Sequence, residues 1–281
     1  MGSMGYALRC DGGQAFDLAA VNTRGDSGVS KEAGNVELEA LVKELGELQE
    51  LLYAAGTDAL LIVLQGMDTS GKDGTIRGVL NDMNPSGVYV WSFKVPTAEE
   101  RVHDFLWRHH LHTPALSSVA VFNRSYYEAV LVELVQGIVS PEVAVSRYPH
   151  INDFEQLLGQ SRTFIAKFFL HISKEEQEER LLARQEEIEK WWKLSIADWQ
   201  ERQRWDDYMT AYQAAINATA TSWAPWYVVP SDRKWYRNLA VAQTLAEMLR
   251  PRREDWLAAL RERGERELTT LREAGYTSSQ S

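Results

Sequence analysis

The chain has 281 residues, of which 44% are hydrophobic and 25% charged, and its formal net charge at pH 7 is −10. This composition is typical of a folded globular protein and excludes a disordered or fibrous chain. The acidic balance argues against a general nucleic-acid binder, because such proteins cluster Lys and Arg on one surface. The single cysteine, Cys10, allows no intrachain disulfide and no Cys-based metal site.

The beginning of the chain lacks a sustained hydrophobic pattern and contains Gly12, Gly13, Gly25 and Gly28. We therefore expect residues 1–32 to form a flexible N-terminal arm that becomes ordered only by docking. From Val36 to about Ala55 leucines recur at helical spacing and predict a long amphipathic helix. No linker divides the rest of the chain, so residues 33–281 are predicted to form a single domain.

Short apolar runs separated by segments of helical length follow this helix. The predicted strands are Leu60–Gln65, Val88–Phe93, Val119–Phe122, Phe164–Ile172 and Trp226–Val229. Such alternation calls for parallel strands joined by right-handed crossovers. The predicted fold is therefore α/β, with a five-stranded parallel sheet in a three-layer α/β/α domain. The charged stretch at about 174–218, between the fourth and fifth strands, is predicted to be a helical lid.

The first of these strands runs directly into a glycine-rich loop with the GxxxxGK spacing of a phosphate-binding loop. Backbone N–H groups of such a loop, with the following helix N-terminus, face a phosphate, while the lysine supplies a mobile positive charge. The alternative is a glycine-rich turn that matches the pattern by chance. The predicted phosphate- and nucleotide-binding residues are Gly66, Met67, Thr69, Ser70, Gly71, Lys72, Asp73, Gly74 and Arg77.

Two carboxylates lie in or beside this loop, Asp68 and Asp73, and Asp73 occupies the position where Ser or Thr usually contacts magnesium. Two carboxylates would repel a bound phosphate unless a divalent cation lay between them. We therefore predict Mg²⁺ as the cofactor, with Mn²⁺ as a substitute. The alternative is that Asp73 only favours the helix N-terminus through the helix dipole.

The segment GMDTSGKDGTIR at 66–77 resembles the phosphate loop of the polyphosphate kinase 2 family. Further blocks of that family follow in order, among them SFK at 92–94, HDFLWR at 103–108, FNRSYYE at 122–128, WDDY at 205–208 and APWYVVP at 224–230. The resemblance covers residues 30–250 and implies a P-loop kinase fold. It also implies inorganic polyphosphate as donor or acceptor and AMP, ADP or ATP as partner. The Asn-Arg-Ser form at 123–125 is similar to the subgroup that acts on both AMP and ADP.

The resemblance and the predicted sheet together assign roles to individual residues. Asp68, Lys72 and Arg124 are the candidate catalytic residues, since Arg124 follows the third strand at the carboxyl edge of the sheet. Because Asn123 stands where many relatives carry Asp, the candidate metal ligands are Asp68, Asp73 and Glu128. The alternative for Arg124 is a surface ion pair.

A basic set on and near the lid is predicted to bind the polyphosphate chain. Its members are Lys94, Arg180, Arg184, Lys190, Lys193 and Lys234. Because Arg180 and Arg184 are four residues apart, both project from one helix face. The alternative is a solvated charged helix, given the many glutamates between 175 and 187.

The predicted activity is a magnesium-dependent transfer of phosphate between polyphosphate and AMP or ADP. Two rivals are an ATP-dependent nucleoside or nucleotide kinase and a non-catalytic nucleotide or polyphosphate sensor. We expect a cytoplasmic homodimer or homotetramer that binds neither nucleic acid nor membrane.

Overall fold

The computed structural model describes residues 5–25 and 28–276, which contain six strands and ten α-helices. The strands are β1 (Leu8–Cys10), β2 (Ala59–Gln65), β3 (Val88–Ser92), β4 (Val119–Asn123), β5 (Thr163–His171) and β6 (Trp226–Pro230). The first five helices are α1 (Lys31–Ala55), α2 (Lys72–Val79), α3 (Trp107–His110), α4 (Val132–Val135) and α5 (Pro141–Gln160). The others are α6 (Lys174–Glu186), α7 (Ile196–Gln203), α8 (Trp205–Thr219), α9 (Lys234–Leu249) and α10 (Arg253–Glu273).

The six strands form one sheet in the order β1-β6-β5-β2-β4-β3. The five predicted strands are all present and pair in parallel, with Leu61 opposite Ile165 on one side of β2 and Ala120 on the other. The sheet has one strand more than predicted, since β1 pairs antiparallel with β6. This strand was missed because three residues are too few for an alternating pattern to be recognised, and the strand is defined by backbone pairing with β6.

The central strand β2 shows why the fold has three layers. All seven of its residues are buried, and their side chains alternate between the two faces. Leu60 and Ile62 enter a core with α1, α9 and α10, whereas Leu61 and Val63 enter a core with α5 and α8. Helices therefore cover both faces of the sheet, as the sequence predicts.

Helix α1 begins five residues earlier than the leucine pattern predicts. Ser30 caps it by accepting a hydrogen bond from the Ala33 N–H, and Gly56 ends it in the left-handed region with φ of 69°. The first turn is mostly exposed, so the cap rather than an apolar stripe fixes where the helix starts.

Most of the predicted arm, residues 5–25, lies against the domain. The Tyr6 N–H donates to Gln243 at 3.0 Å, and the Thr23 hydroxyl donates to Asp232 at 2.6 Å. Leu18 is buried in the core beside α8. Residues 1–4, 26 and 27 of that predicted arm lie outside the described part, and the division into arm and domain stays a prediction.

The predicted lid segment is helical, as α6, α7 and α8 with a short 3-10 turn at Ile188–Lys193. Ser173 caps α6 by accepting from the Glu176 N–H, and acidic residues fill its first turn. Within residues 5–25 and 28–276, none of the helices has both the length and the apolar character needed to span a bilayer.

Candidate active site

The carboxyl ends of the five parallel strands lie at one edge of the sheet, where ligands bind in open α/β folds. The loop Gly66–Gly71 leaves β2 at this edge, and α2 begins immediately after it. Asn123 ends the adjacent strand β4, and His171 ends β5 on the other side of β2. The sheet therefore brings the predicted phosphate loop and the start of the Asn-Arg-Ser segment to one place.

Two glycines allow the loop its close turns. Gly66 and Gly71 have φ of 151° and 104°, a region that side chains rarely adopt. A Cβ on Gly71 would come within 1.8 Å of the Arg237 guanidinium, and one on Gly66 within 2.7 Å of the Leu170 carbonyl oxygen. A larger residue at either position would push the loop away from the strand edge.

Lys72, the first residue of α2, curls back over this loop and is buried. Its Nζ donates to the carbonyl oxygens of Gly66 at 2.7 Å and Met67 at 3.2 Å. Burial, together with the nearby positive charge of Arg124, lowers the pKa of the amine to about 8. A bound phosphate would supply the negative charge that this cation lacks.

The loop also offers unused donors. The hydroxyls of Thr69 and Ser70 are buried, yet neither makes a hydrogen bond with another described residue. Buried polar groups normally find partners, and a phosphate oxygen is the partner that the spacing of this loop predicts.

Arg124 connects two carboxylates at the same edge. One Nη atom lies 2.5 Å from an Asp68 carboxylate oxygen, and the other lies 3.7 Å from Glu128. Burial alone would lower the pKa of the guanidinium, but Glu128 and Asp68 outweigh it and raise that pKa. The residue adopts φ of 64°, which is uncommon for a side chain larger than glycine and often marks a functional site.

Glu128 sits deeper than Arg124 and accepts a hydrogen bond from the Gln65 amide at 3.2 Å. Burial raises the pKa of its carboxyl group, although the Arg124 charge acts in the opposite direction. Asp68 and Glu128 thus both contact the Arg124 guanidinium and hold it at the mouth of the phosphate loop.

The third predicted metal ligand, Asp73, has different neighbours. Its carboxylate accepts from the Asn123 amide at 2.8 Å and from the Lys193 amine at 3.1 Å. Burial would raise the pKa of this carboxyl group, but these hydrogen bonds outweigh it and lower that pKa. The carboxylate is half exposed and stays charged.

In the described part of the chain, no group of three or more His, Cys, Asp or Glu side chains is placed to hold a metal ion. A magnesium ion in a kinase needs only one or two carboxylates, because substrate phosphates and water complete its coordination. The half-exposed Asp73 carboxylate beside Asn123 meets that requirement by itself, whereas Asp68 is already paired with Arg124. The residues present therefore fit Mg²⁺.

The lid arginines do not project freely over a phosphate chain in the way the sequence suggests. The Arg180 guanidinium donates to the backbone oxygens of Thr69 at 2.9 Å, Ser231 at 2.7 Å and Asp232 at 2.9 Å. It also pairs with Glu176 at 2.8 Å. Arg180 consequently ties α6 to the phosphate loop and to the end of β6.

Arg184 is held within the lid itself. It pairs with Asp198 of α7 at 2.8 Å and donates to the Lys193 carbonyl oxygen at 3.2 Å. Lys193 in turn reaches the phosphate loop through Asp73. Of the lid arginines, Arg180 therefore contacts the phosphate loop directly. Arg184 is connected to Asp73 only through Lys193.

The other predicted basic residues are not drawn into this network. Arg77, Lys94 and Lys234 are exposed, and none makes a side-chain hydrogen bond or ion pair with another described residue. The side chain of Lys190 lies outside the described ones. Binding of polyphosphate by Lys94, Lys190 and Lys234, and of phosphate or nucleotide by Arg77, stays a prediction.

Sequence reasoning missed Gln177, which is fully buried on α6 and donates to the Asp68 carbonyl oxygen at 3.2 Å. A signal was available, because Gln177 lies three residues before Arg180 and so on the same helix face. It also missed a buried ion pair under the Asn-Arg-Ser segment. Lys167 lies 2.6 Å from Glu155, and both side chains are fully buried.

This buried pair supports the segment that carries Arg124. Glu155 accepts from the hydroxyls of Tyr126 at 2.8 Å and Tyr127 at 2.9 Å, while Lys167 donates to the Tyr127 hydroxyl at 3.0 Å. Both tyrosines directly follow Ser125. The pair could not be found from sequence, since nothing local relates a lysine inside an apolar strand to a glutamate on α5.

Comparison with known proteins gives consistent matches. Residues 28–255 match the family model described as polyphosphate kinase 2. The chain is 50% identical over 219 residues to an AMP/ADP-polyphosphate phosphotransferase of Meiothermus ruber, covering 78% of this chain and 82% of the relative. It is 44% identical over 255 residues to an ADP-polyphosphate phosphotransferase of Rhodopseudomonas palustris, covering 86% and 88%. The crystal structure of a polyphosphate kinase 2 from Arthrobacter aurescens TC1 is similar with a TM-score of 0.81 at 46% identity, covering 84% of this chain and 86% of that one.

Proposed function

The chain belongs to the polyphosphate kinase 2 family, and from that premise we propose that it transfers a phosphoryl group between inorganic polyphosphate and AMP or ADP. The relatives named for AMP and ADP together, and for ADP alone, support this activity. The fold and the loop geometry agree with a phosphotransferase, because the phosphate loop, Lys72 and Arg124 meet at one edge of the sheet.

The reaction exchanges one phosphorus–oxygen bond for another. An oxygen of the terminal phosphate of AMP or ADP attacks the terminal phosphorus of polyphosphate. The bond from that phosphorus to the next phosphate breaks, so the nucleotide gains one phosphate and the polymer loses one. The attacking oxygen is already ionised near neutral pH, so no strong general base is required.

The residues of this chain then act mainly by position and charge, as in other phosphoryl transfers. Lys72 and the N–H groups of the phosphate loop hold the transferred group. Arg124 neutralises charge that builds on its oxygens, and Asp68 and Glu128 keep the guanidinium aimed at that place. Gln177 and Arg180 fix the loop from the lid side, so that the donors do not have to reorganise during the reaction.

We expect magnesium to be held by Asp73, with Asn123 as a neutral neighbour. When bound, the ion screens the phosphate charges and orients their oxygens. Lys193 of the lid also pairs with Asp73, so the lid and the cation would share this carboxylate.

The observation that supports the proposal best is that Lys72 and Arg124, 52 positions apart in the sequence, are both joined to the phosphate loop. The Lys72 amine donates to the carbonyl oxygens of Gly66 and Met67, and the Arg124 guanidinium lies 2.5 Å from the Asp68 carboxylate. Two cations fixed on one phosphate-binding loop are what transfer of a phosphoryl group requires.

The experiment supplies AMP and ADP separately, with polyphosphate and Mg²⁺ and without ATP, and follows nucleotides by chromatography. We expect ADP and then ATP from AMP, and ATP from ADP. ATP from ADP with nothing from AMP would restrict the activity to the second step.

The same assay separates the two rivals. An ATP-dependent nucleoside or nucleotide kinase would form product only when ATP replaces polyphosphate, and a sensor would bind ligand without any turnover. The cytoplasmic location remains a prediction from the amino-acid composition, and the homodimer or homotetramer remains a prediction from the family resemblance.

A further inference from the structure

A second cleft lies at the opposite edge of the sheet from the phosphate loop. It has a volume of about 610 Å³, within the range of small-molecule sites, and includes Asp58 and Thr163 at the amino ends of β2 and β5. Ala59 begins β2 and Gly66 directly follows its end. This cleft and the phosphate loop are therefore separated by roughly 20 Å, about the length of the strand. The mechanism above does not use this region.

Three arginines, Arg9, Arg162 and Arg252, line the cleft, and Asp58 lines it as well. Asp58 is buried and already accepts from the Trp256 indole at 2.7 Å. Each guanidinium has a carboxylate partner, Asp11, Asp58 or Asp255, so a phosphate would bind through the N–H donors that these partners leave free and not through an excess of charge.

Each arginine is held in place while keeping free donors. Arg162 adopts φ of 67°, and its Nε and one Nη contact Thr57 and Asp58, which leaves the second Nη unbonded to any described residue. Arg252 stacks over the Phe164 ring at 5.2 Å. A guanidinium carries five N–H donors, so these contacts leave capacity for a ligand.

The remaining arginine, Arg9, is paired with Tyr227 across strands β1 and β6. Its ion pair with Asp11 is exposed at 3.4 Å, as is that of Arg252 with Asp255 at 3.3 Å. Exposed pairs of this kind contribute little free energy, so phosphate oxygens could take over these guanidinium groups.

An aromatic surface faces the same space. The Trp223 side chain lines the cleft with 47% of its surface exposed. An exposed indole at the wall of a cleft lined by arginines can stack on a planar base.

We propose that this cleft is a second ligand site, which binds the phosphate chain of a nucleoside phosphate or of inorganic polyphosphate away from the site of transfer. The guanidinium groups of Arg162 and Arg252 contact the phosphates, and Trp223 stacks on the base when the ligand carries one. Occupancy of this cleft changes no covalent bond.

The test is hydrogen–deuterium exchange of the full chain with ADP or with tripolyphosphate, each added alone so that donor and acceptor never meet. Both probes are expected to slow exchange in peptides covering 156–165 and 222–227, besides those of the phosphate loop. Equal protection by both would show recognition of phosphates alone, and stronger protection by ADP would show that the base stacks. Either result supports the site.

Arg162→Gln/Arg252→Gln is expected to remove this protection and to weaken binding at the second cleft by roughly tenfold for each guanidinium lost. Arg266→Gln, on the exposed face of α10, is the matched control and should retain it. Because Arg162 also contacts Thr57 and Asp58, Arg252→Gln and Trp223→Ala serve as single variants if the double variant does not fold.

Turnover of ADP with polyphosphate is measured in the same preparations and should be unchanged. The absence of a second site can therefore be told apart from the absence of the proposed activity. Protection confined to the phosphate loop would overturn the second site. Protection at 156–165 that survives in the arginine variants would overturn it equally.

Discussion

At the scale of single residues, Arg124 shows how the site combines charge with fixed geometry. Its guanidinium reaches both Asp68 and Glu128 from a left-handed backbone conformation. A residue that is aimed by two carboxylates can meet developing charge without first having to move.

We predict that Arg124→Gln lowers kcat by roughly 10²–10³, the usual effect of removing one stabilising donor from a transition state. The change should leave the KM for nucleotide less affected, since the contribution is made mainly during transfer. Steady-state kinetics of ATP formation from ADP measures both. Arg266→Gln, at an exposed position on α10, is the control. A kcat within twofold of the unaltered protein would remove Arg124 from the mechanism.

His171 provides a prediction about stability and pH. The ring is buried at the end of β5, its Nδ1 has no hydrogen-bond partner among the described residues, and burial lowers its pKa to about 4. The unfolded chain binds a proton near pH 6.5, whereas the folded chain binds one only near pH 4. The folded state therefore loses stability as the pH falls through that window, by about 2 kcal/mol at pH 5 from this residue.

In His171→Gln the loss of folding stability that comes from protonating this side chain at low pH should be missing. Urea unfolding at pH 7 and pH 5 gives the difference, and His150→Gln, at an exposed position, should behave like the unaltered protein. An identical loss of stability in His171→Gln and the unaltered protein would contradict the burial argument.

At the scale of elements, the phosphate loop depends on contacts from the lid and from the last strand. Arg180 bonds to the loop and to the end of β6 at once, and Gln177 bonds to Asp68 from the same helix. Helix α6 is thus part of the wall of the site. The sequence predicts the cationic face of α6, but it does not show that the Arg180 guanidinium donates its hydrogen bonds to backbone oxygens.

The pair Lys167–Glu155 connects β5 and α5 beneath the Asn-Arg-Ser segment. Removing one partner leaves an uncompensated buried charge, so Lys167→Met should lower the free energy of unfolding by about 3–5 kcal/mol. In Lys167→Met/Glu155→Gln the side chain at 155 is neutral and still accepts from Tyr126 and Tyr127, so more than half of that loss should be recovered. Urea unfolding near pH 7.5 compares the variants. A double variant as unstable as the single one would show that shape, not charge, determines the cost.

At the scale of the whole molecule, the strands and the phosphate loop were predictable because their signals are local. Five apolar runs give the parallel sheet, and the spacing of Gly66, Gly71 and Lys72 gives the loop. The rest depends on pairs that only folding brings together. Strand β1 is defined by β6, and the pairing of Lys193 with Asp73 spans 120 positions.

The central claim is that phosphoryl transfer takes place at the carboxyl edge of the sheet, with Lys72 on the transferred group. The most direct measurement is ATP formation from ADP with polyphosphate as the only donor, in the unaltered protein and in Lys72→Ala, with folding checked by circular dichroism. We predict ATP formation by the unaltered protein and a loss of at least roughly 100-fold in kcat/KM in the variant. A folded Lys72→Ala protein with near-normal turnover would place the reaction somewhere other than this loop.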